Sequence, residues 1–273
     1  MLKVILICRA PQFSPNSETK DSAILHAVGA CLLQKGCEVR YIQETDFTLE
    51  DEADAYLSMG RLPKTLDLLR RKESQGCCVI NSSDGVARMR RSVLDKLMRD
   101  RGIPVAPLMS EHEACGYWLK RGDAAVQSRD DVLYVRSREE VYQQLSLFHH
   151  RGVNDVLVTE HVAGDLVKFY GVQGTGFFRY FYPTDDGDTK FDDEKRNGEA
   201  HHYPFIVDEL KENAERVAQM TGVCVYGGDA IVNSNCAFVI IDFNDWPSFS
   251  RCREEAAEVI TDTLLAQHRS RRQ

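Results

Sequence analysis

Residues 2–8, LKVILIC, constrain the fold more than any other feature of the chain. An unbroken apolar, β-branched run of this length is a strand buried on both faces. It is too short to span a bilayer and lacks the small-residue cleavage site of a secretory leader. A helical pattern over 20–36 follows and ends at Gly36, a C-cap position. CEVRYIQ (37–43) alternates like a second strand, ADAYLS (53–58) supplies a third, 63–74 a helix, and CCVIN (77–81) a fourth strand. Strand and helix alternating at this spacing predict a parallel α/β domain over residues 1–80.

The texture changes at Asn81. NSSDGVARMRRS is a loop by pattern, and a helix runs from Ser92 to Arg101, stopped by Gly102 and Pro104. GYWLK and VLYVR are short strands within 116–136, 137–150 is helical, and VLVTEHV (156–162) is a strand. LVKFYGVQ (166–173) and FFRYFYP (177–183) form an antiparallel pair, followed by a polar, mobile stretch over 184–200. A helix spans 207–220. VYGGDAIV (225–232) and AFVIIDFN (237–244) pair across the Asn233–Ser234–Asn235 turn. The last helix covers 253–267, and HRSRRQ is a frayed tail.

Composition narrows the function. The net charge of -8 argues against a nucleic-acid partner, which asks for a basic face. No stretch approaches transmembrane length, so no membrane partner is expected. Nine scattered cysteines with no CxxC spacing read as reduced thiols of a cytoplasmic protein.

The sharpest cluster is GGDAIV followed by VIIDFNDWPSF. Asp229 lies in one strand and Asp242 ends the next. Asn244, two residues on, projects from the same face as Asp242. Two carboxylates and an amide oxygen suit Mg²⁺, and Mn²⁺ can take the same oxygens. Taken alone, the pattern also admits a second account, in which both carboxylates cap turns. A carboxylate ending so apolar a strand is costly unless paired or coordinated.

Three segments, in order, resemble the ATP-grasp superfamily. Asn81-Ser82, the basic run Arg88 to Arg91, Asp95-Lys96 and Gly102-Ile103-Pro104 are similar to the start of that domain. GDLVKFYGV (164–172) looks like its G-D-x-R/K-x-F-V-V segment, and Asp242-x-Asn244 before Trp246-Pro247 looks like its metal strand. The resemblance implies the parallel α/β domain at 1–80, then an ATP-grasp domain with an N-terminal lobe at 81–155 and a C-terminal lobe at 156–273. It implies ATP and Mg²⁺ as cofactors. Lys96 and Lys120 would contact phosphates, as compact charges suited to polyphosphate. The backbone of Glu160, His161 and Val162 would read the adenine edge. Asp165 would touch the ribose or only shape its turn. Lys168 would face the transferred phosphate, and Arg179 would bind an anionic acceptor or merely pair with a neighbouring acid. Asp229, Asp242 and Asn244 would hold the metal.

The chain departs from the family after Lys120. RGDAAVQSRDDV has one glycine where a glycine-rich loop is usual, leaving Arg121, Gln127 or Arg129 to cover the phosphates. Ser248 also stands where glycine is common. The reading favoured by the resemblance is a carboxylate–amine ligase acting through an acyl phosphate on a small-molecule or peptide acceptor. A small-molecule kinase of the inositol-polyphosphate type and a non-catalytic nucleotide-binding module are the alternatives. The oligomeric state stays open. TDDGDTKFDDE lacks calcium-loop spacing, and the His149-His150 and His201-His202 side chains diverge, so neither is a metal site.

Overall fold

The computed structural model describes residues 1–13, 18–112, 114–123, 128–186 and 197–271. β1 (Lys3–Cys8), β2 (Glu38–Gln43), β3 (Ala55–Ser58) and β4 (Cys78–Ile80) form one parallel sheet in the order β2-β1-β3-β4. The expected strand LKVILIC is its buried centre, with Val4 to Ile7 almost wholly excluded from solvent. Helices α1 (Glu18–Gln34) and α2 (Pro63–Ser74) connect the strands. The loop expected after Asn81 contains a short helix, α3 (Ser83–Ala87), because Ser82 Oγ caps it by accepting the Gly85 amide at 3.1 Å.

Helix α4 (Arg91–Asp100) leads into a three-stranded antiparallel sheet of β5 (Tyr117–Arg121), β6 (Val132–Val135) and β7 (Val156–Glu160), in the order β6-β5-β7 and backed by α5 (Arg138–His150). β7 pairs with β5, so this sheet runs through Glu160.

β8 (Asp165–Val172), β9 (Phe178–Phe181), β10 (Val225–Val232) and β11 (Phe238–Asp245) form the second antiparallel sheet, β11-β10-β8-β9. Helix α6 (Val207–Thr221) covers one face with Leu210, Ala214 and Val217 against Val167, Phe169 and Phe243. By strand alternation the other face carries Lys168, Asp229, Asp242 and Asn244.

Helix α7 (Arg253–Ser270) runs three residues past the expected end, so His268 to Ser270 are helical. Its Ala256, Ala257, Ile260 and Leu264 share a core with Leu25 and Val28 of α1 and Ile80 of β4. The last helix of the chain therefore packs on the first domain. Asn81, fully buried, joins the two regions. Its Oδ1 accepts the amides of Cys224 (2.8 Å) and Val225 (2.7 Å), and its Nδ2 donates to Val225 O at 2.8 Å. All nine cysteines are free thiols. Among the described residues, no helix is long and apolar enough to cross a membrane. Most of the polar stretch 184–200, residues 187–196, lies outside the described residues.

Candidate active site

Asp229 and Asp242 are direct cross-strand partners, and Gly227 faces Asn244 two pairs along. The strands must lie close for this. A Cβ on Gly228 would come within 2.3 Å of the Asp242 carbonyl oxygen. A bulge follows at once. Asp229 opposes Asp242, but Ala230 opposes Ile240, which leaves Ile241 as the extra residue.

The bulge is where the three-stranded sheet reaches across. Lys120 Nζ donates to Ile241 O at 2.8 Å. Leu119 and Tyr117 face the β5–α5 core, so alternation sends Lys120 toward the other sheet. Lys168, paired with Asp229 in register, also meets its carboxylate, Nζ to Oδ1 at 3.3 Å. Asn244 Nδ2 donates to Asp242 Oδ2 at 3.1 Å. The structure thus gathers Lys120, Lys168, Asp229, Asp242 and Asn244 from the expected set.

It also brings in a residue not singled out as a ligand. Arg91, the first residue of α4, places Nη2 3.7 Å from Asp242 Oδ1 and donates from Nη1 to Arg121 O at 2.9 Å. Lys96 is not in the cluster. Its side chain is 76% exposed and its ammonium pairs with Asp100 one turn on, at 2.7 Å. The cause is helix rotation. Leu94 and Met98 are the buried anchors of α4, and Arg91 precedes Leu94 by three residues on that stripe. Lys96 stands two residues from Leu94, about 200° around the helix. The i, i+3, i+7 stripe is the sequence signal that singles out Arg91 from the run Arg88 to Arg91.

The cluster perturbs its members. Burial lowers the Lys120 pKa, and the Arg91 charge pushes the same way against the opposing pull of Asp242, Asp229 and Asp95. Burial alone would raise Asp242, but Arg91, Lys120, the Asn244 hydrogen bond and Lys168 outweigh it and hold the carboxyl below its ordinary value. The cations of Arg91 and Lys168 thus face the two carboxylates, at 3.7 Å from Asp242 and 3.3 Å from Asp229.

Other expected residues sit elsewhere. Asp165 is buried on the α6-facing side of the sheet, where its carboxylate accepts the amides of His201 (2.7 Å) and Tyr203 (2.8 Å). Odd and even residues of β8 point to opposite faces, so Asp165 cannot reach the side of Lys168. Arg179 shares the Lys168 face but forms an ion pair with Glu255 of α7 and lies 5.0 Å over the Phe177 ring. The Glu160 carboxylate accepts the Ser110 hydroxyl at 2.8 Å. The amides of Glu160 and His161 donate to Pro107 O and Gly116 O, both at 2.8 Å. His161 Nδ1 accepts from Trp118 Nε1 at 3.2 Å, and its ring packs edge-on to Tyr134 at 5.5 Å. Of the loop candidates, Gln127 and the Arg129 side chain lie outside the described residues. Arg121 pairs with Asp123 at 2.7 Å and lies 3.8 Å from Asp131.

Among the described residues, no three His, Cys, Asp or Glu side chains are grouped for a metal. Two adjacent carboxylates with one amide are less than a complete cage. They fit Mg²⁺, which keeps several waters and is commonly held by one or two carboxylates together with substrate phosphates.

No protein-family model matches the sequence, and no curated protein matches it. Solved structures do. The ATP-grasp ligase PsnB, in complex with a phosphomimetic variant of its minimal precursor, Mg and ADP, is 14% identical, with 97% of this chain and 98% of that one covered and a TM-score of 0.65. The D-alanine-D-alanine ligase of Coxiella burnetii is 13% identical over 98% and 94%, with a TM-score of 0.68. An ATP-grasp RimK domain protein of Sphaerobacter thermophilus is 17% identical over 96% and 99%, with a TM-score of 0.66.

Proposed function

We propose, from the premise that this chain has the ATP-grasp fold, that it is an ATP- and Mg²⁺-dependent ligase joining a carboxylate to an amine. One observation carries the reading. Lys120 from one sheet and Lys168 from the other meet on the β10–β11 strand pair, Lys168 at the Asp229 carboxylate and Lys120 at the Ile241 carbonyl next to Asp242. Three cations on two carboxylates in an otherwise acidic chain make a local site for polyphosphate. The solved neighbours support both ligands, since PsnB holds Mg and ADP and a Bacillus anthracis D-alanine-D-alanine ligase holds ATP.

In this reading Asp229, Asp242 and Asn244 would hold the metal, which would supply charge neutralisation. Lys120, kept in place by Ile241 O, points its ammonium at the bound polyphosphate. Lys168 faces the γ-phosphoryl group as it passes to the acceptor. A carboxylate oxygen of the first substrate attacks the γ-phosphorus, and the bond to the β–γ bridging oxygen breaks, releasing ADP. The amine then attacks the acyl carbon, phosphate leaves, and the nitrogen loses a proton to solvent. No protein nucleophile is needed. The chain contributes position and preorganised charge, in a site partly closed to water. Arg179, tied to Glu255, serves an anionic acceptor only if that pair opens.

The test is ADP release against acceptor panels. The ligase reading expects release to require a carboxylate and an amine together. Release with a hydroxyl compound alone overturns it in favour of a kinase, and ATP binding with no turnover on any acceptor supports a binding module instead.

A further inference from the structure

Arg91 touches two parts of the site at once. Its side chain is 16% exposed, and the guanidinium sits between the Asp242 carboxylate at 3.7 Å and the Arg121 carbonyl at 2.9 Å. Arg121 ends β5 immediately after Lys120, where the chain leaves the strand toward residues 122–128. The next residue of α4 secures the same place. The Ser92 amide donates to Gly122 O at 3.2 Å, and Ser92 Oγ donates to Asp155 Oδ1 at 2.5 Å. The first turn of α4 is thus fastened to the strand end that follows the phosphate lysine. A guanidinium carries five donors in a rigid fork, so one nitrogen can keep the Arg121 carbonyl while another changes partner.

The partner that must change is Asp242. A guanidinium at this distance and a divalent cation compete for one carboxylate, because each lowers the attraction left for the other. We infer that Arg91 holds Asp242 in the nucleotide-free protein and releases it to the metal as ATP binds, turning its free donors to the nucleotide phosphates. This rests on the ATP·Mg²⁺ reading above. Arg91 is then a placeholder for the metal in one state and a phosphate ligand in the other.

The inference has an opposite-sign consequence. Removing the Arg91 charge strengthens binding of the metal alone and weakens binding of the nucleotide. General damage to the site weakens both. Two titrations read this: Mn²⁺ with the nucleotide-free protein, followed by electron paramagnetic resonance, and a non-hydrolysable ATP analogue at saturating Mg²⁺, followed by calorimetry. Arg91→Met is expected to bind Mn²⁺ about fivefold tighter, the scale of one half-buried ionic partner. It is expected to bind the analogue about 10- to 100-fold more weakly, the scale of a charge-assisted hydrogen bond. Arg91→Lys, which keeps the charge without the fork, should bind Mn²⁺ as wild type does and still lose nucleotide affinity. Loss of both affinities in Arg91→Met, or no change in either, overturns the inference while leaving wild-type nucleotide binding intact. A wild-type chain that binds neither Mn²⁺ nor the analogue overturns the ATP reading, and this inference with it.

Discussion

Asp245 is the residue whose removal should cost the fold most for its size. Its side chain has no exposure and lies between two guanidiniums, Arg9 after β1 and Arg61 after β3, which are 9% and 17% exposed. Arg9 also donates to the carbonyls of Asp245 and Trp246, at 3.3 and 3.4 Å, so the cluster fixes the turn that follows β11. In Asp245→Ala the two buried arginines lose their counter-charge. Breaking a buried pair in this way costs about 3–5 kcal/mol, a large share of the 5–15 kcal/mol that ordinarily separates folded from unfolded. The assay is urea unfolding followed by fluorescence. Trp246 is buried beside the cluster and Trp118 sits in the three-stranded sheet, so a Trp118→Phe background isolates the signal of the turn. The midpoint should fall steeply in Asp245→Ala, and the loss should change little with salt because a buried pair is weakly screened. Adding Arg61→Met should recover part of it, with a coupling of about 0.5–3 kcal/mol. A loss below about 0.5 kcal/mol, or one erased by salt, would show that the cluster is solvated and that the burial argument is wrong.

Asp242→Ala should lower Mg²⁺-dependent turnover by about 10²–10³-fold while circular dichroism stays unchanged; full activity removes Asp242 from the site. Lys120→Met should raise the Kd for ATP about tenfold or more in calorimetry without shifting the unfolding midpoint downward, since it deletes a buried charge held at a lowered pKa. Asn81→Ala strands the amides of Cys224 and Val225 and should cost about 3 kcal/mol, with faster hydrogen exchange at those two amides. Asp51 is held below its ordinary pKa by the Thr48 amide and hydroxyl and by Arg40, which together outweigh the upward push of burial. A carboxyl lowered in the folded state contributes stability that is complete above its unfolded pKa, about 4, and is lost as pH falls through the folded value. Asp51→Asn should therefore flatten the acid limb of the stability profile below about pH 4, and an unchanged limb would refute the assignment.

The sequence by itself determined the elements and much of the site. Strand periodicity of two and the unbroken run at residues 2–8 specify a parallel sheet followed by antiparallel ones. That same periodicity puts Asp229, Asp242 and Asn244 on one face, because facing is a local property of extended backbone. Alternation likewise turns Lys120 away from the core that holds Leu119.

Tertiary packing decided the rest. Arg91 rather than Lys96 enters the site because Leu94 and Met98 must be buried, which sets the rotation of α4. The bulge that exposes Ile241 O to Lys120 comes from a register shift between two strands, and no local pattern marks it. Asp165 reads within its motif as either a ribose contact or a turn residue, and burial on the α6 side commits its carboxylate to the His201 and Tyr203 amides. The Arg9–Asp245–Arg61 cluster joins residues 236 and 184 positions apart, and the last helix closes on the first. A sequence carries periodicity over a few residues; which charges meet depends on how whole sheets and helices dock, a sum over contacts distant along the chain.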